Sequence, residues 1–499
     1  MFLSTPPFPS LCRLFALCVA VTSTAMDLHA APGKVVRPPF SIAEEYLVVV
    51  AQDLPAAVVA RDIARTHRGQ VANVWTDALN GFLIRIPDSA AEAIARDPRV
   101  VRVEQNSRMF LSATQNTSVP PVGAEPGADS LWGLDRVDQR TSLNESYNYC
   151  DDGFGIKIYI VDSGVLKSHQ EFRRSSTDAT SRVENGVSTT GETFAAPGES
   201  ADHGTNPCGV LHNSTSGTIA GSHGTSVASI AAGLTTGVAK AATVVPVKVV
   251  DCSGNSSVAA VVAGLQWIIQ QEDASPYVPK VVNMSMFQWL PDTRPAEICP
   301  DGRVAPAIST AELTSLESAV RNVVAAGVTV VVSANNQNQD ARNVSPARLA
   351  YGNTALPGPH VITVGGTMLV GGVDARWVSG NPTFSLCTNS DAGSNWGPAV
   401  DVFPPAADIT AAAIADTGTT PLFGYRTASH GRAGTSWAAP FASGMAARFL
   451  LQNGAATPLD VWQWMQNLAT YDVIDTATLN GSPNRLLYRG GAVTCRIRP

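Results

Sequence analysis

IKIYIVDSG, residues 156–164, is an apolar and largely β-branched run that stops on Asp162 at a Ser-Gly turn. A run of this kind, broken only by Lys157 near its start, reads as a strand covered on both faces. The pattern returns in TVVPVKVV (243–250), VVNMSM (281–286), VTVVVSA (328–334) and HVITVGG (360–366), and helical stretches are predicted over 223–234, 257–271, 310–326 and 436–451. Continuous apolar strands separated by helices indicate an α/β fold, a doubly wound and mostly parallel sheet with helices on both faces. Sites in such sheets lie at the carboxyl ends of the strands, which is where Asp162 falls.

Two further segments carry reactive side chains at helix starts. GSHGTSVAS (221–229) presents His223 ahead of a small, apolar helix, and AGTSWAAP (433–440) presents Ser436 ahead of another. Each residue has an ordinary role when taken singly: Asp162 or Ser436 as a helix cap, His223 as a packed histidine. His203 is also followed by Gly-Thr, but the NPCG after it breaks any helix at once. Taken together, the three are the parts of a nucleophilic relay, in which a hydroxyl needs a base and the base needs an anion to fix its tautomer. The chain order Asp, His, Ser is one of the convergent orders for that relay.

With HGTSVASIAAG and GTSWAAPFASG as flanks, the chain from Trp132 (WGLDRVDQR) to Tyr488 (PNRLLY) resembles the subtilisin-like serine proteases, and within them the proteinase K-like group. The resemblance implies a serine endopeptidase with Asp162, His223 and Ser436 as its triad, needing no cofactor for its chemistry. It also implies that Asn336, in VVVSANNQNQDA (330–341), is the side-chain donor to the oxyanion. A helix N-terminus beside His223 is expected to disfavour the imidazolium. The resemblance also places Ser285, Met286, Phe287 and Asn335 at the substrate pocket. Two of these depart from the family pattern: Phe287-Gln288 stands where relatives have Gly-Gly, and Asn335 where they have Gly. A Phe at that wall is expected to narrow or re-route the pocket toward small side chains.

The segment Glu45 to Glu104 reads as a separate α+β domain with strands at YLVVV, VANVW, FLIRI and VVRVE and helices near 55–67 and 89–96. The order βαββαβ suits a ferredoxin-like antiparallel sheet with helices on one face. It resembles the inhibitory propeptide of the same proteases, which implies an intramolecular inhibitor and a self-processing zymogen. The expected organisation is a signal peptide at 1–31, a propeptide at 32–112, a linker at 113–131 that contains the expected maturation site, and a catalytic domain at 132–499. Self-cleavage is expected between Arg108 and Asp129, and no further domain is expected beyond residue 490.

Arg13, the apolar LFALCVAV and the small residues Ser23 and Ala25 give the leader its secretory character, too short to span a bilayer. The expected location is extracellular or periplasmic. Signal removal takes Cys12 and Cys18 and leaves six cysteines, at 150, 208, 252, 299, 387 and 495, which an oxidising compartment favours as disulfides. Six cysteines allow 15 pairings; the resemblance points to Cys208 with Cys252.

The chain has 499 residues, 44% of them apolar, a net charge of −7 and only 15% charged residues, so it offers no basic patch for nucleic acid. Protein or peptide substrates, no membrane contact after signal removal and a monomer are expected. The resemblance also suggests a structural calcium, held by the carbonyls of Pro359 and Val361 and the carboxylate of Asp401, against the alternative that Asp401 caps a turn. Two rival readings are a peptide-binding pseudoprotease, supported only by Phe287 and Asn335, and a nucleotide-binding protein. The second lacks a glycine-rich phosphate loop after the first strand.

Overall fold

The computed structural model describes residues 35–37, 41–51, 53–76, 80–107, 113–116, 131–149, 151–191, 220–251, 254, 256–271, 278–289, 315–351, 360–378, 392–414, 423–427 and 433–490. All eight cysteines, Pro359, the leader and the insertion around Cys299 lie outside these residues. The chain divides into two compact units, Met1–Arg108 and Met109–Pro499.

The first unit is built from β1 (Val35–Val36), β2 (Ser41–Val50), α1 (Ala56–His67), β3 (Gln70–Trp75), β4 (Gly81–Arg85), α2 (Asp88–Ile94) and β5 (Val100–Ser107). Its sheet runs β1-β5-β2-β4-β3, antiparallel except for the β1–β5 edge. The predicted βαββαβ order is present, with the two-residue β1 added at the edge. Apolar side chains on one face of the strands, among them Tyr46, Val48, Phe82, Ile84 and Val103, pack with Val59 and Ile63 of α1 and Ile94 of α2 into a separate core. Full burial of each such side chain contributes about 1.5–3 kcal/mol.

The second unit contains β6 (Ala113–Asn116), α3 (Trp132–Asp138), β7 (Ser146–Tyr149), β8 (Lys157–Asp162), β9 (Val187–Ser188), α4 (Ala220–Ala232), β10 (Thr243–Lys248), α5 (Val258–Gln270), β11 (Lys280–Met284) and β12 (Gln288–Trp289). These are followed by α6 (Ser315–Ala325), β13 (Thr329–Ser333), β14 (Val344–Ser345), β15 (Ile362–Val364), β16 (Thr367–Val370), β17 (Val373–Arg376), β18 (Thr410–Ile414), β19 (Phe423–Thr427), α7 (Thr435–Gln452) and α8 (Pro458–Leu468). Six strands form one parallel sheet in the order β15-β13-β11-β8-β10-β9. This is the doubly wound arrangement expected from the apolar runs.

Alternation along the central strands divides the core in two. Ile158 and Ile160 of β8 and Val331 of β13 join the residues of α4 and α7 on one face. Tyr159 and Val161 of β8, with Val330 and Val332 of β13, join those of α5 and α6 on the other. Because both faces are covered, the strands are largely apolar; the buried polar exceptions, Asn283 in β11 and Thr363 in β15, are hydrogen-bonded to Ser443 Oγ and to the carbonyl of Ala347. No helix among the described residues is long and apolar enough to cross a membrane.

Helix bounds shift modestly from the sequence reading. α4 begins at Ala220, three residues before the predicted start, so His223 lies one turn inside the helix. α7 begins at Thr435 and runs through Pro440 without interruption.

Candidate active site

Asp162 ends β8, and its carboxylate is held locally by the backbone N–H of Ser163, which donates to Oδ1 at 2.7 Å. Both carboxylate oxygens lie 2.9 Å from Nδ1 of His223. A carboxylate only accepts, so Nδ1 must carry the proton, and Nε2 is left as the basic nitrogen. The approach of α4 to β8 depends on Gly224: a Cβ there would stand 2.4 Å from the carbonyl oxygen of Gly164 and 3.1 Å from Asp162 Oδ1. Ser163 Oγ accepts the N–H of Gly224 at 3.1 Å and closes the junction.

Burial alone lowers the pKa of His223, but the charge and hydrogen bond of Asp162 outweigh it, and the net shift is upward. The helix end was expected to disfavour the imidazolium; the net shift nevertheless runs the other way, because of Asp162. A full charge at hydrogen-bond distance exceeds the partial charge of a helix end whose first turn His223 has already passed.

Ser436 is the second residue of α7. The indole of Trp437, the next residue, lies 5.6 Å from the His223 ring, centroid to centroid, at an angle of 46°. Among the described residues the hydrogen bonding of Ser436 runs through its carbonyl, which accepts from Ser285 Oγ at 3.2 Å, and not through Oγ. Apo hydroxyl–imidazole contacts are commonly long and tighten on substrate binding.

Asn336 follows the end of β13. Its Oδ1 accepts both the backbone N–H of Thr435 (2.8 Å) and Thr435 Oγ1 (2.9 Å). Because a backbone N–H can only donate, the side-chain oxygen must face Thr435, and Nδ2 is turned to the other side of the amide. Thr435 Oγ1 in turn accepts the N–H of Asn335 at 3.1 Å. Thr435 therefore fixes the orientation of an amide beside Ser436. Neither the helix pattern nor the resemblance singled it out, although its place before Ser436 was the available signal.

Asn335 has a φ of +79°, the left-handed region that favours glycine. Asn tolerates that region when its side chain bonds locally, and here Oδ1 accepts the N–H of Asn336 at 2.9 Å. The backbone geometry usually supplied by Gly is kept by an Asn. Ser285 and Met286 lie just beyond β11 and are half-buried, while Phe287 remains 38% exposed.

Of the residues proposed for calcium, the described ones are Val361 and Asp401. Asp401 Oδ1 accepts from the indole N–H of Trp462 (3.0 Å) and from Gln466 Nε2 (2.7 Å), both on α8, and Oδ2 accepts the N–H of Thr363 at 2.8 Å. Three N–H donors fill most of the roughly four acceptor positions of a carboxylate. They also present positive hydrogens where a cation would approach. Asp401 therefore does not fit the calcium role. Burial pushes its pKa up to about 7, against the downward pull of the Thr363, Trp462 and Gln466 donors and the charge of Arg485. Val361 is buried in the sheet core. No group of three or more His, Cys, Asp or Glu side chains suited to a metal is present among the described residues. Trp462 and Gln466, 61 and 65 residues away in the chain, were not legible as partners of Asp401.

The profile of the subtilase family matches residues 153–487, and that of the peptidase inhibitor I9 family matches residues 47–112. The chain is 33% identical over 423 residues to the extracellular serine proteinase of Thermus sp. (strain Rt41A), covering 84% of this chain and 78% of that protein. It is 29% identical over 474 residues to a cuticle-degrading serine protease of Arthrobotrys oligospora, covering 91% of this chain and 92% of the relative. Among solved structures, a cold adapted subtilisin-like serine proteinase matches with a TM-score of 0.51 and 30% identity, over 72% of this chain and 98% of the other.

Proposed function

Since the chain belongs to the subtilase family and is a serine endopeptidase, we propose that it hydrolyses peptide bonds through Asp162, His223 and Ser436, with Asn336 as an oxyanion donor, after removing its own propeptide. The observation that carries this reading is the Asp162–His223 pair, with both carboxylate oxygens 2.9 Å from Nδ1 and the residue after Ser436 packed beside the imidazole.

Ser436 Oγ attacks the substrate carbonyl while His223 Nε2 takes its proton; the same proton then passes to the leaving amine as the acyl-enzyme forms. Water, deprotonated by His223, attacks the acyl carbonyl and releases Ser436. Asp162 holds the imidazole in the Nδ1–H tautomer and stabilises the imidazolium. As the carbonyl oxygen becomes an oxyanion, the N–H of Ser436 and Nδ2 of Asn336 receive it. Each such donor lowers the barrier by about 2.7–4 kcal/mol.

The reading extends to the organisation of the chain. Residues 1–31 are a cleaved signal, 32–112 the inhibitory propeptide and 132–499 the catalytic domain, and the enzyme acts outside the cytoplasm. The I9 match at 47–112 supports the propeptide, and the names of the relatives support an extracellular location. Phe287 and Asn335 shape the pocket for the residue before the scissile bond, and small side chains are preferred there. Cysteines 208 and 252 are paired.

A fluorophosphonate probe tests the central assignment. The mature protein is expected to carry one adduct, mapped by peptide mass spectrometry to Ser436. An active enzyme modified elsewhere would refute it.

A further inference from the structure

We propose that the hydroxyl of Ser285 is a positioning element for Ser436, standing in for a backbone donor that Pro440 removes from the helix. The inference rests on the reading of Ser436 as the nucleophile. In an α-helix the carbonyl of residue i accepts the N–H of residue i+4. For Ser436 that partner is Pro440, which lies inside α7 and has no N–H. The carbonyl of Ser436 is thus left without its intrahelical bond in the turn that carries the reactive hydroxyl.

Ser285 Oγ, just past the end of β11, donates to that carbonyl at 3.2 Å. The direction of the bond is fixed by what lies behind it. Asn283 Nδ2, which can only donate, reaches Ser285 Oγ at 3.2 Å, so the hydroxyl hydrogen of Ser285 is free to point at Ser436. Asn283 Oδ1 accepts from Ser443 Oγ at 2.9 Å, and that hydroxyl also lies 3.2 Å from the carbonyl of Ala439. Asn283 and Ser443 are fully buried. The chain of bonds leaves α7 at Ser443, crosses β11, and returns to α7 two turns earlier at Ser436.

The consequence is that the Cα of Ser436 is held from both sides. On its N-terminal side Asn336 Oδ1 takes the N–H of Thr435, and on its C-terminal side Ser285 takes the carbonyl of Ser436. The N–H of the same peptide plane, that of Trp437, donates to the carbonyl of Gly434 at 2.9 Å; releasing the Ser285 bond leaves this as the remaining restraint, about which the Ser436–Trp437 plane can tilt and carry Oγ away from its line of attack. Small misplacements of a reacting atom are costly in turnover and nearly silent in substrate affinity.

The test is a double-mutant cycle on the full-length protein, matured and assayed with a peptide amide substrate, with Ser436→Ala as the inactive reference. Ser285→Ala is expected to lower kcat about tenfold with KM within about twofold, and to slow fluorophosphonate labelling of Ser436 by a similar factor. Ser285→Thr should recover most of the loss. In a Pro440→Ala background the new N–H can close the missing helical bond, so Ser285→Ala should then cost about twofold or less. Ser443→Ala, two links further back through Asn283, should show a smaller loss with the same dependence on Pro440. Equal losses from Ser285→Ala in both backgrounds, or a change in thermal stability with kcat intact, would overturn the proposal while leaving the nucleophile assignment standing. A Ser436→Ala protein that still hydrolyses the substrate would overturn the nucleophile assignment and the inference with it.

Discussion

Asp162 and His223 meet through both carboxylate oxygens, each 2.9 Å from Nδ1, at the point where β8 ends and α4 completes its first turn. The pair raises the pKa of His223 above the ordinary value of 6.5 in spite of burial. Only the neutral imidazole can act as base, so activity must fall as pH drops through the raised value. The acid limb of kcat/KM is therefore expected above pH 6.5, and Asp162→Asn should lower kcat by about 10⁴-fold by losing the tautomer. A limb below 6.5 in the unmodified enzyme, measured with a neutral substrate, would contradict this.

The orientation of Asn336 by Thr435 makes a graded prediction. Asn336→Ala should reduce kcat about 100- to 1000-fold with little change in KM, because the donor acts on charge present only in the transition state. Thr435→Val keeps the backbone N–H that holds Oδ1 and should cost less than Asn336→Ala. An equal or larger loss from Asn335→Ala would move the role to the neighbouring amide.

Asp401 yields a stability prediction in place of a calcium site. A chelator should leave the melting temperature unchanged so far as this carboxylate is concerned. Trp462→Phe, which removes a donor from a buried acceptor, should cost about 1.5–3 kcal/mol. Differential scanning calorimetry with and without chelator compares the two. A fall of several degrees on chelation with a silent Trp462→Phe would restore calcium to the site.

Strand pairing narrows the maturation window. β6, Ala113–Asn116, pairs antiparallel with β7 inside the second unit, while β5 of the first unit ends at Ser107. Cleavage between Arg108 and Ala113 leaves both strands intact, and the mature N-terminus is expected there. N-terminal sequencing that begins after Asn116 would show that β6 is discarded with the propeptide.

The parts of this molecule that were legible beforehand are those in which one residue's neighbours in sequence are also its physical environment. The apolar run at 156–161 specified a strand buried on both faces, and Asp162 marked where that burial ended. The flanks of His223 and Ser436 announced tightly packed helices in the same way. Features held by remote partners were not legible. ATQN at 113–116 has no strand pattern, and its pairing is set by β7 some thirty residues away. Asp401 reads as a turn cap or ligand until α8 brings Trp462 and Gln466 to it. Asn335 reads as a broken glycine rule until its side chain is seen on the next N–H. The charge of Asp162 on His223, stronger than the helix end considered from sequence, is a distance effect of the same kind.

Mass spectrometry of the secreted wild-type protein beside Ser436→Ala tests the central claim most directly. The account predicts a wild-type chain shortened to an N-terminus between Arg108 and Ala113 and active on peptide substrates, and a Ser436→Ala chain that keeps its propeptide and has no activity. A Ser436→Ala protein that matures alone in a protease-deficient host, or that still cleaves peptides, would contradict it.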